Sequence, residues 1–208
     1  MRARSIELKD LNTNIKHNTT MNAKHLLLLA ALPAAFAFAP LPEGKYVSRA
    51  VNIEFFSSTP AEDIRASNNT GTGTIDPATG EVVFSIPMQG FEFEKALMQK
   101  HFNSADFLDT QKYPKAKFKG SITDLAAIDF HKDGTYTANV RGEMTIKDKT
   151  NPVTTMGTVT VKDGKVGIES KFPLVLADYG VTFAKGKPST NIAKNVDVTV
   201  KAECTHEQ

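Results

Sequence analysis

The side chains that could carry out chemistry are few and widely spaced along this chain. Downstream of residue 39 the histidines and the cysteine are His101, His131, His206 and Cys204. Only Cys204 and His206 are close enough in sequence to share a metal ion, and we expect them to lie in a frayed tail. The sequence therefore predicts no metal site and no cofactor other than a bound lipid.

One set of residues could support serine-based catalysis: Ser104 with His101 and either Asp106 or Asp109. Nucleophilic catalysis would require these groups to be hydrogen-bonded to one another. The chain has no Gly-x-Ser-x-Gly elbow, no phosphate-binding loop and no dinucleotide-binding fingerprint. We therefore predict a protein that is not an enzyme, with the two aspartates shaping the turn after a helix.

His101 is better placed to bind a ligand than to catalyse a reaction. It falls within a predicted helix of about residues 94–106, in which Leu97, Met98, Phe102 and Ala105 recur at helical spacing. An imidazole N–H could meet a carbonyl or phosphate oxygen of a ligand head group, or it could instead satisfy a backbone carbonyl. We predict the head-group contact.

The segments around this helix alternate with the period of β-strands. In the clearest of them, residues 136–147, Tyr136, Ala138 and Val140 share one face while Thr137, Asn139 and Arg141 share the other. Strands with one apolar face, joined by hairpin turns, make an antiparallel sheet that buries a single side, and closure into a barrel removes its edges. The sequence predicts an all-β fold, an antiparallel lipocalin-like β-barrel of about eight strands with one short inserted α-helix. Further strands are expected at residues 46–57, 68–75, 82–88, 115–124, 126–131, 153–161, 166–172 and 196–202, with a loop at 148–152.

The aromatic residues of these strands gather at inward positions. Large inward side chains could simply fill a barrel, but small ones such as Ala116, Gly120, Ala138, Gly142 and Gly157 would leave room for a ligand. The alternation by itself supports a packed core and a cavity equally well. If there is a cavity, we expect its wall to include Phe84, Phe91, Phe93, Met98, Phe102, Phe118, Met144 and Phe172.

The segment around the helix is similar to a known family. Residues 101–109 read HFNSADFLD and residues 112–118 read KYPKAKF. They resemble the H-x-x-S-x-D-F-[FL]-D and K-Y-P-x-x-x-F segments of the YceI-like, polyisoprenoid-binding family. VRGEMTIK at residues 140–147 and ADYGV at residues 177–181 resemble two later motifs of that family, in the same order. The resemblance covers roughly residues 44–202.

This resemblance implies a cavity rather than a packed core, and a polyisoprenoid ligand such as an isoprenoid quinone or a prenyl phosphate. The chain departs from the family pattern at two basic positions. Residues 97–100 read LMQK where the family often has Thr and Arg-Asp, and Leu176 and Ala177 stand where the late motif has arginine. Contacts from those basic groups to a ligand head group are therefore not carried over.

An apolar segment near the N-terminus is typical of a secretion signal. Lys24 and His25 follow Met21, and an almost wholly apolar run then extends to small residues around position 39. We predict that residues 1–39 form a leader. Within it, translation is expected to start at Met21, so that the signal peptide spans residues 21–39. One YceI-like domain is expected at 40–204, followed by a tail at 205–208. The run is too short to span a membrane, and the alternative is a buried N-terminal helix of a cytosolic protein.

The charge of the chain excludes one class of partner. The leader holds five of the 25 basic residues and two of the 23 acidic ones, so residues 40–208 have a net charge of −1. We therefore expect no nucleic-acid partner. The single cysteine excludes an internal disulfide.

We expect a periplasmic or secreted protein that binds or transports a long apolar lipid without turnover. The alternative is a ligand-free envelope or stress protein that acts through protein–protein contacts. The sequence leaves the oligomeric state open, a homodimer included.

Overall fold

The computed structural model describes residues 44–181 and 192–207, which form an antiparallel β-barrel with one α-helix. The predicted leader lies outside the described residues. The helix, α1, spans Ala96–Asn103. The strands are β1 Lys45–Ser58, β2 Asp63–Ile75, β3 Glu81–Pro87, β4 Glu92–Phe93, β5 Lys115–Ile122, β6 Gly134–Ile146, β7 Lys149–Lys162, β8 Lys165–Val175 and β9 Asn195–Glu207.

Eight long strands close the barrel. They follow the order β1-β9-β8-β7-β6-β5-β3-β2, and β2 pairs back onto β1. The two-residue strand β4 adds to β2 opposite Ala66 and Ser67, above the point where β3 leaves that strand. The sequence prediction of an antiparallel barrel of about eight strands with one short inserted helix is therefore confirmed.

The chain direction assigns every connection to one of two ends. The β1–β2 connection, the segment 88–114 that carries α1, the β6–β7 turn and the described start of the β8–β9 connection, residues 176–181, lie at one end, which we call the mouth. The turn at 76–80, the segment 123–133 and the turn at 163–164 lie at the opposite end. Tyr46 and Phe130 stack there with ring centroids 5.8 Å apart, beside the fully buried Val166 and Cys204. Apolar packing thus closes the end opposite the mouth.

Two local predictions were wrong. Residues 126–131, expected to be a strand, form a 3-10 helix at Leu125–Ala127 followed by a bend. Their apolar alternation arises because Ile128 and Phe130 are buried at the end of the barrel. The expected loop at 148–152 is a tight turn at 147–148, with Ile146 already paired to Lys149.

The helix and the last strand also differ from their predicted limits. The helix ends at Asn103, which leaves Ala105 outside it, and Leu97 is 63% exposed rather than packed inward. Strand β9 continues through the expected tail, pairing His206 with Tyr46 and Glu207 with Lys45. Cys204 accordingly lies in the core and not in a frayed end.

The joint between β7 and β8 is paired along only part of its length. Their ladder runs from Lys162↔Lys165 only as far as Gly157↔Ser170, so 149–156 of β7 and 171–175 of β8 are described without pairing between them. We call this joint the seam. Pro152 lies on its β7 side and Pro173 on its β8 side. Because proline has no N–H to donate, it is tolerated in strands mainly where the adjacent edge is unpaired.

Side chains link the two edges of the seam. At its lower end the Ser170 hydroxyl donates to the Met156 carbonyl oxygen at 3.0 Å and lies 3.1 Å from the Thr155 hydroxyl. Near the mouth the Asn151 amide donates to the Asp178 carbonyl oxygen at 2.8 Å.

Candidate ligand-binding cavity

The barrel encloses a cavity of about 520 Å³. This volume lies within the range of known small-molecule sites. Its lining is mostly apolar and comes from all eight long strands, from α1 and from the segment after β8. Deep in the barrel it is bounded by Ile75, Val82, Ile122, Ala138, Val159 and Ile168.

All eight predicted wall residues lie on this cavity. Phe84, Phe118, Met144 and Phe172 reach it from β3, β5, β6 and β8. Phe91, Phe93, Met98 and Phe102 reach it from the segment that carries α1. Their contact with a ligand stays a prediction.

Glycines in the wall accommodate two of the phenylalanine rings. A Cβ atom on Gly73 would overlap the Phe84 ring, and one on Gly142 would lie 2.7 Å from Cζ of Phe118. A Cβ on Gly120, which pairs with Gly142, would lie 2.8 Å from the same Cζ atom. We expected these small residues to leave open space, but the Phe118 ring occupies it. The free volume is instead bordered by Ala116, Ala138 and Gly157.

A cluster of five phenylalanine rings packs beneath α1. Phe102 is its hub, with ring centroids 5.0 Å from Phe93, 5.3 Å from Phe91, 5.8 Å from Phe55 and 6.3 Å from Phe107. An eight-residue helix is marginal by itself in water, so this aromatic packing must hold it in place. Sequence reasoning omitted Phe55 and Phe107 from the wall, although both had alternation or spacing that pointed inward.

Polar links fasten the covering segment to the rim of the barrel. Lys95 Nζ lies 2.6 Å from Glu62 Oε1, which joins the start of α1 to the β1–β2 connection. Lys147 Nζ, in the β6–β7 turn, donates to the Phe107 carbonyl oxygen at 2.9 Å. The buried Thr110 hydroxyl donates to Asn103 Oδ1 at 2.8 Å. The helix is thus attached on both sides of the mouth.

His101 lines the mouth with its side chain exposed to solvent. The Ser104 hydroxyl donates to the backbone carbonyl oxygen of His101 at 2.7 Å, and not to its imidazole. Ser104 is therefore held as part of the end of the helix, and the hydrogen-bonded arrangement that serine catalysis needs is not formed. His101 is free to face whatever occupies the mouth.

Three polar side chains line the cavity along the seam. Thr155 and Ser170 bond to each other, whereas Tyr179 reaches the cavity from a 3-10 helix at Leu176–Tyr179. Burial, and secondarily the Asp178 carboxylate, raise the pKa of the Tyr179 hydroxyl above its ordinary value. The hydroxyl therefore stays neutral and able to donate. Sequence reasoning noted Tyr179 only as part of the ADYGV motif.

Groups suited to metal binding do not converge in the described structure. Within residues 44–181 and 192–207, no three side chains of His, Cys, Asp or Glu lie together in a way that could hold a metal ion. Burial raises the pKa of the Cys204 thiol to about 11, which disfavours the thiolate that binds metals. Over the same residues, no helix is long and apolar enough to cross a membrane.

Comparison with known proteins identifies related sequences. The family model of the YceI-like domain matches residues 43–204. A UPF0312 protein of Pseudomonas putida strain W619 is 34% identical over 132 residues, covering 60% of this chain and 63% of that protein. Protein YceI of Escherichia coli O157:H7 is 28% identical over 142 residues, covering 64% of this chain and 68% of that protein.

A solved structure shares the fold. The polyisoprenoid binding domain from Saccharophagus degradans superposes with a TM-score of 0.67, covering 79% of this chain and 99% of that domain. Its sequence is only 12% identical to this chain. The likeness therefore concerns the barrel architecture.

Proposed function

Because this chain belongs to the YceI-like family and its barrel encloses an apolar cavity of about 520 Å³, we propose that it binds a long apolar lipid there without chemical turnover. The proposed ligand class is the polyisoprenoids, an isoprenoid quinone or a prenyl phosphate among them. The apolar cavity carries the proposal, and the polyisoprenoid binding domain that shares this fold supports the ligand class.

The energetics of such binding depend on chain length. Burying roughly 10 methylene equivalents at about 0.8 kcal/mol each contributes about 8 kcal/mol before costs. Lost rotational and translational freedom and ordering of the chain reduce this gain, so micromolar affinity is expected for short chains and tighter binding for long ones. Because this gain depends little on the chemistry of the tail, the wall would select lipids by length more than by type.

The wall residues divide into two roles in this proposal. Phe84, Phe118, Met144 and Phe172 contact the lipid chain along the strands. Phe91, Phe93, Met98 and Phe102 cover its end beneath α1, and His101 faces a head group at the mouth. A ligand-free protein that acts through protein contacts would have a filled interior, and the cavity favours lipid binding over that alternative.

We further propose that the protein works outside the cytoplasm. Residues 21–39 would direct export from a start at Met21, and residues 40–204 would act as one domain in the periplasm or outside the cell. An exported lipid-binding protein would move its ligand through water between apolar surroundings. N-terminal sequencing of the protein isolated from its host would test the start and the cleavage site, and an intact N-terminus before residue 21 would contradict both.

Mass spectrometry tests the binding proposal directly. The protein would be purified from its native host without detergent and measured under native and denaturing conditions. We expect a near-stoichiometric isoprenoid that leaves on denaturation, and its mass would identify the ligand. Lipid-free protein that also takes up neither a quinone nor a prenyl phosphate from added vesicles would refute the proposal.

A further inference from the structure

Tyr179 differs from the other three tyrosines of the chain in the surroundings of its hydroxyl group. Tyr46 donates to the Phe130 carbonyl oxygen at 3.5 Å and Tyr136 to the Lys132 carbonyl oxygen at 2.9 Å. Tyr113 lies against the Lys112 ammonium group, whose pKa is raised by their hydrogen bond. Among residues 44–181 and 192–207, the Tyr179 hydroxyl has no hydrogen-bond partner.

This hydroxyl belongs to a side chain that is held firmly inside the protein. The residue is 2% exposed and lines the cavity. Gly180, at a φ of 65°, reverses the chain after the 3-10 helix, and the Val181 amide then donates to the Leu176 carbonyl oxygen at 3.1 Å. The Asn151 amide holds the neighbouring Asp178 carbonyl from β7. These contacts fix the backbone on both sides of Tyr179.

No fully buried polar side-chain atom of the described residues lacks a hydrogen-bond partner, so the unpartnered hydroxyl of the buried Tyr179 must reach the open space of the cavity. Leaving a hydroxyl unsatisfied in apolar surroundings costs free energy that a hydrogen bond would recover, so buried polar groups are normally paired. Phenylalanine at this position would fill the same space without that cost. The tyrosine hydroxyl is therefore best explained by a partner that arrives with the ligand.

We propose that the Tyr179 hydroxyl donates a hydrogen bond to an oxygen atom of the bound lipid, inside the cavity beside the seam. This inference rests on the proposed function and refines its ligand class to apolar chains that carry a carbonyl, hydroxyl or phosphate oxygen. Both residues follow elements that end at the mouth, but His101 is exposed and Tyr179 is buried, so the two would contact different atoms of the ligand. Tyr179 would set the position of the oxygen while the phenylalanine wall holds the chain.

The test compares two ligands on two proteins. A prenyl alcohol and the hydrocarbon with the same carbon skeleton would be titrated against wild type and Tyr179→Phe, with displacement of a fluorescent apolar probe as the readout. We expect the variant to bind the alcohol roughly 2- to 10-fold more weakly, the range of one neutral hydrogen bond. Its affinity for the hydrocarbon should be unchanged. Tyr136→Phe removes a hydroxyl away from the cavity and should bind both ligands as wild type does.

Each outcome of these titrations either supports or overturns the proposed role of the Tyr179 hydroxyl. Equal affinities of wild type and Tyr179→Phe for the alcohol, or equal losses for both ligands, would overturn the role of the hydroxyl while leaving lipid binding in place. Wild type that binds neither ligand would refute the proposed function, and this inference with it. Thermal unfolding of the lipid-free proteins gives a second readout. Tyr179→Phe should melt at the same or a higher temperature than wild type, and a clear decrease would mean that the hydroxyl already has a protein partner.

Discussion

Substitution of Ala138 by isoleucine tests whether the barrel holds a cavity or a packed core. The two cases predict changes of opposite sign in the free energy of unfolding. Ala138 is 2% exposed, lies on β6 opposite Gly157, and borders the cavity. Isoleucine adds three carbon atoms, and the cavity can take them up without displacing protein atoms. At about 0.8 kcal/mol for each buried carbon, their burial contributes about 2.4 kcal/mol. We expect the lipid-free variant to gain up to roughly 2 kcal/mol in its free energy of unfolding.

The same side chain would take space from the ligand. Losing three methylene equivalents of ligand burial costs about 2.4 kcal/mol, which corresponds to roughly 50-fold weaker binding. Urea unfolding of the lipid-free protein measures the first effect and probe displacement measures the second. Thr137→Ile, on the exposed face of the same strand, should change neither. If the core were already filled, the added atoms would overpack it and destabilise the variant by about 1–3 kcal/mol. That result, with unchanged lipid affinity, would refute the conclusion that Ala138 borders a ligand cavity.

Three further predictions concern the wall, the helix and the buried thiol. Phe118→Asp places a carboxylate in the apolar wall and should abolish lipid binding or folding, whereas Lys117→Asp, at an exposed position, should leave both intact. Equal damage would reverse our assignment of the two faces. Phe102→Ala should cost about 3–5 kcal/mol and speed proteolysis within residues 94–110, whereas Leu97→Ala on the exposed face should not. A Phe102 variant as protease-resistant as wild type would contradict this role. Because burial raises the pKa of Cys204 from about 9 to about 11, native protein at pH 8 should react with a thiol reagent at least ~100-fold more slowly than unfolded protein.

The raised thiol pKa also gives the sign of a pH dependence. A protonated thiol is favoured more strongly in the folded state than in the unfolded one, so its contribution is complete below about pH 9 and is lost as pH rises towards 11. Within this window the Cys204 contribution to the free energy of unfolding should fall by at most about 1.4 kcal/mol per pH unit. Urea titrations at successive pH values, compared with Cys204→Ala, would reveal this contribution as the difference between the two slopes. Identical slopes would contradict it.

The sequence was most informative where a residue's environment follows from its neighbours along the chain. The period-2 pattern of residues 136–146 placed Ala138, Val140 and Met144 inside, and the change of period near residue 94 located the inserted helix. Together with the same alternation in the other strands, these local patterns predicted the barrel and most of its wall.

What the sequence did not predict depends on pairing between distant strands. The loop expected at 148–152 included Pro152, but this residue lies in β7 beside the unpaired edge of the seam. Leu97 fitted the helical pattern yet is exposed, because α1 packs on the aromatic cluster through Phe102. Tyr179 depends on a turn after β8 whose position is set by contacts with β7. These outcomes require knowledge of which strands are neighbours.

Along the seam, the two neighbouring strands of the barrel are described without backbone pairing between them. Where strands are paired, widening the barrel would break backbone ladders, but across the seam, among the described residues, side-chain hydrogen bonds at its two ends link the strands. We therefore expect the wall to be more easily deformed along the upper β7–β8 joint than where ladders are continuous, and Pro152 and Pro173 both lie on this joint. The methyl branches of the proposed polyisoprenoid would need a barrel that can widen locally, and the seam is the place where we expect this wall to widen.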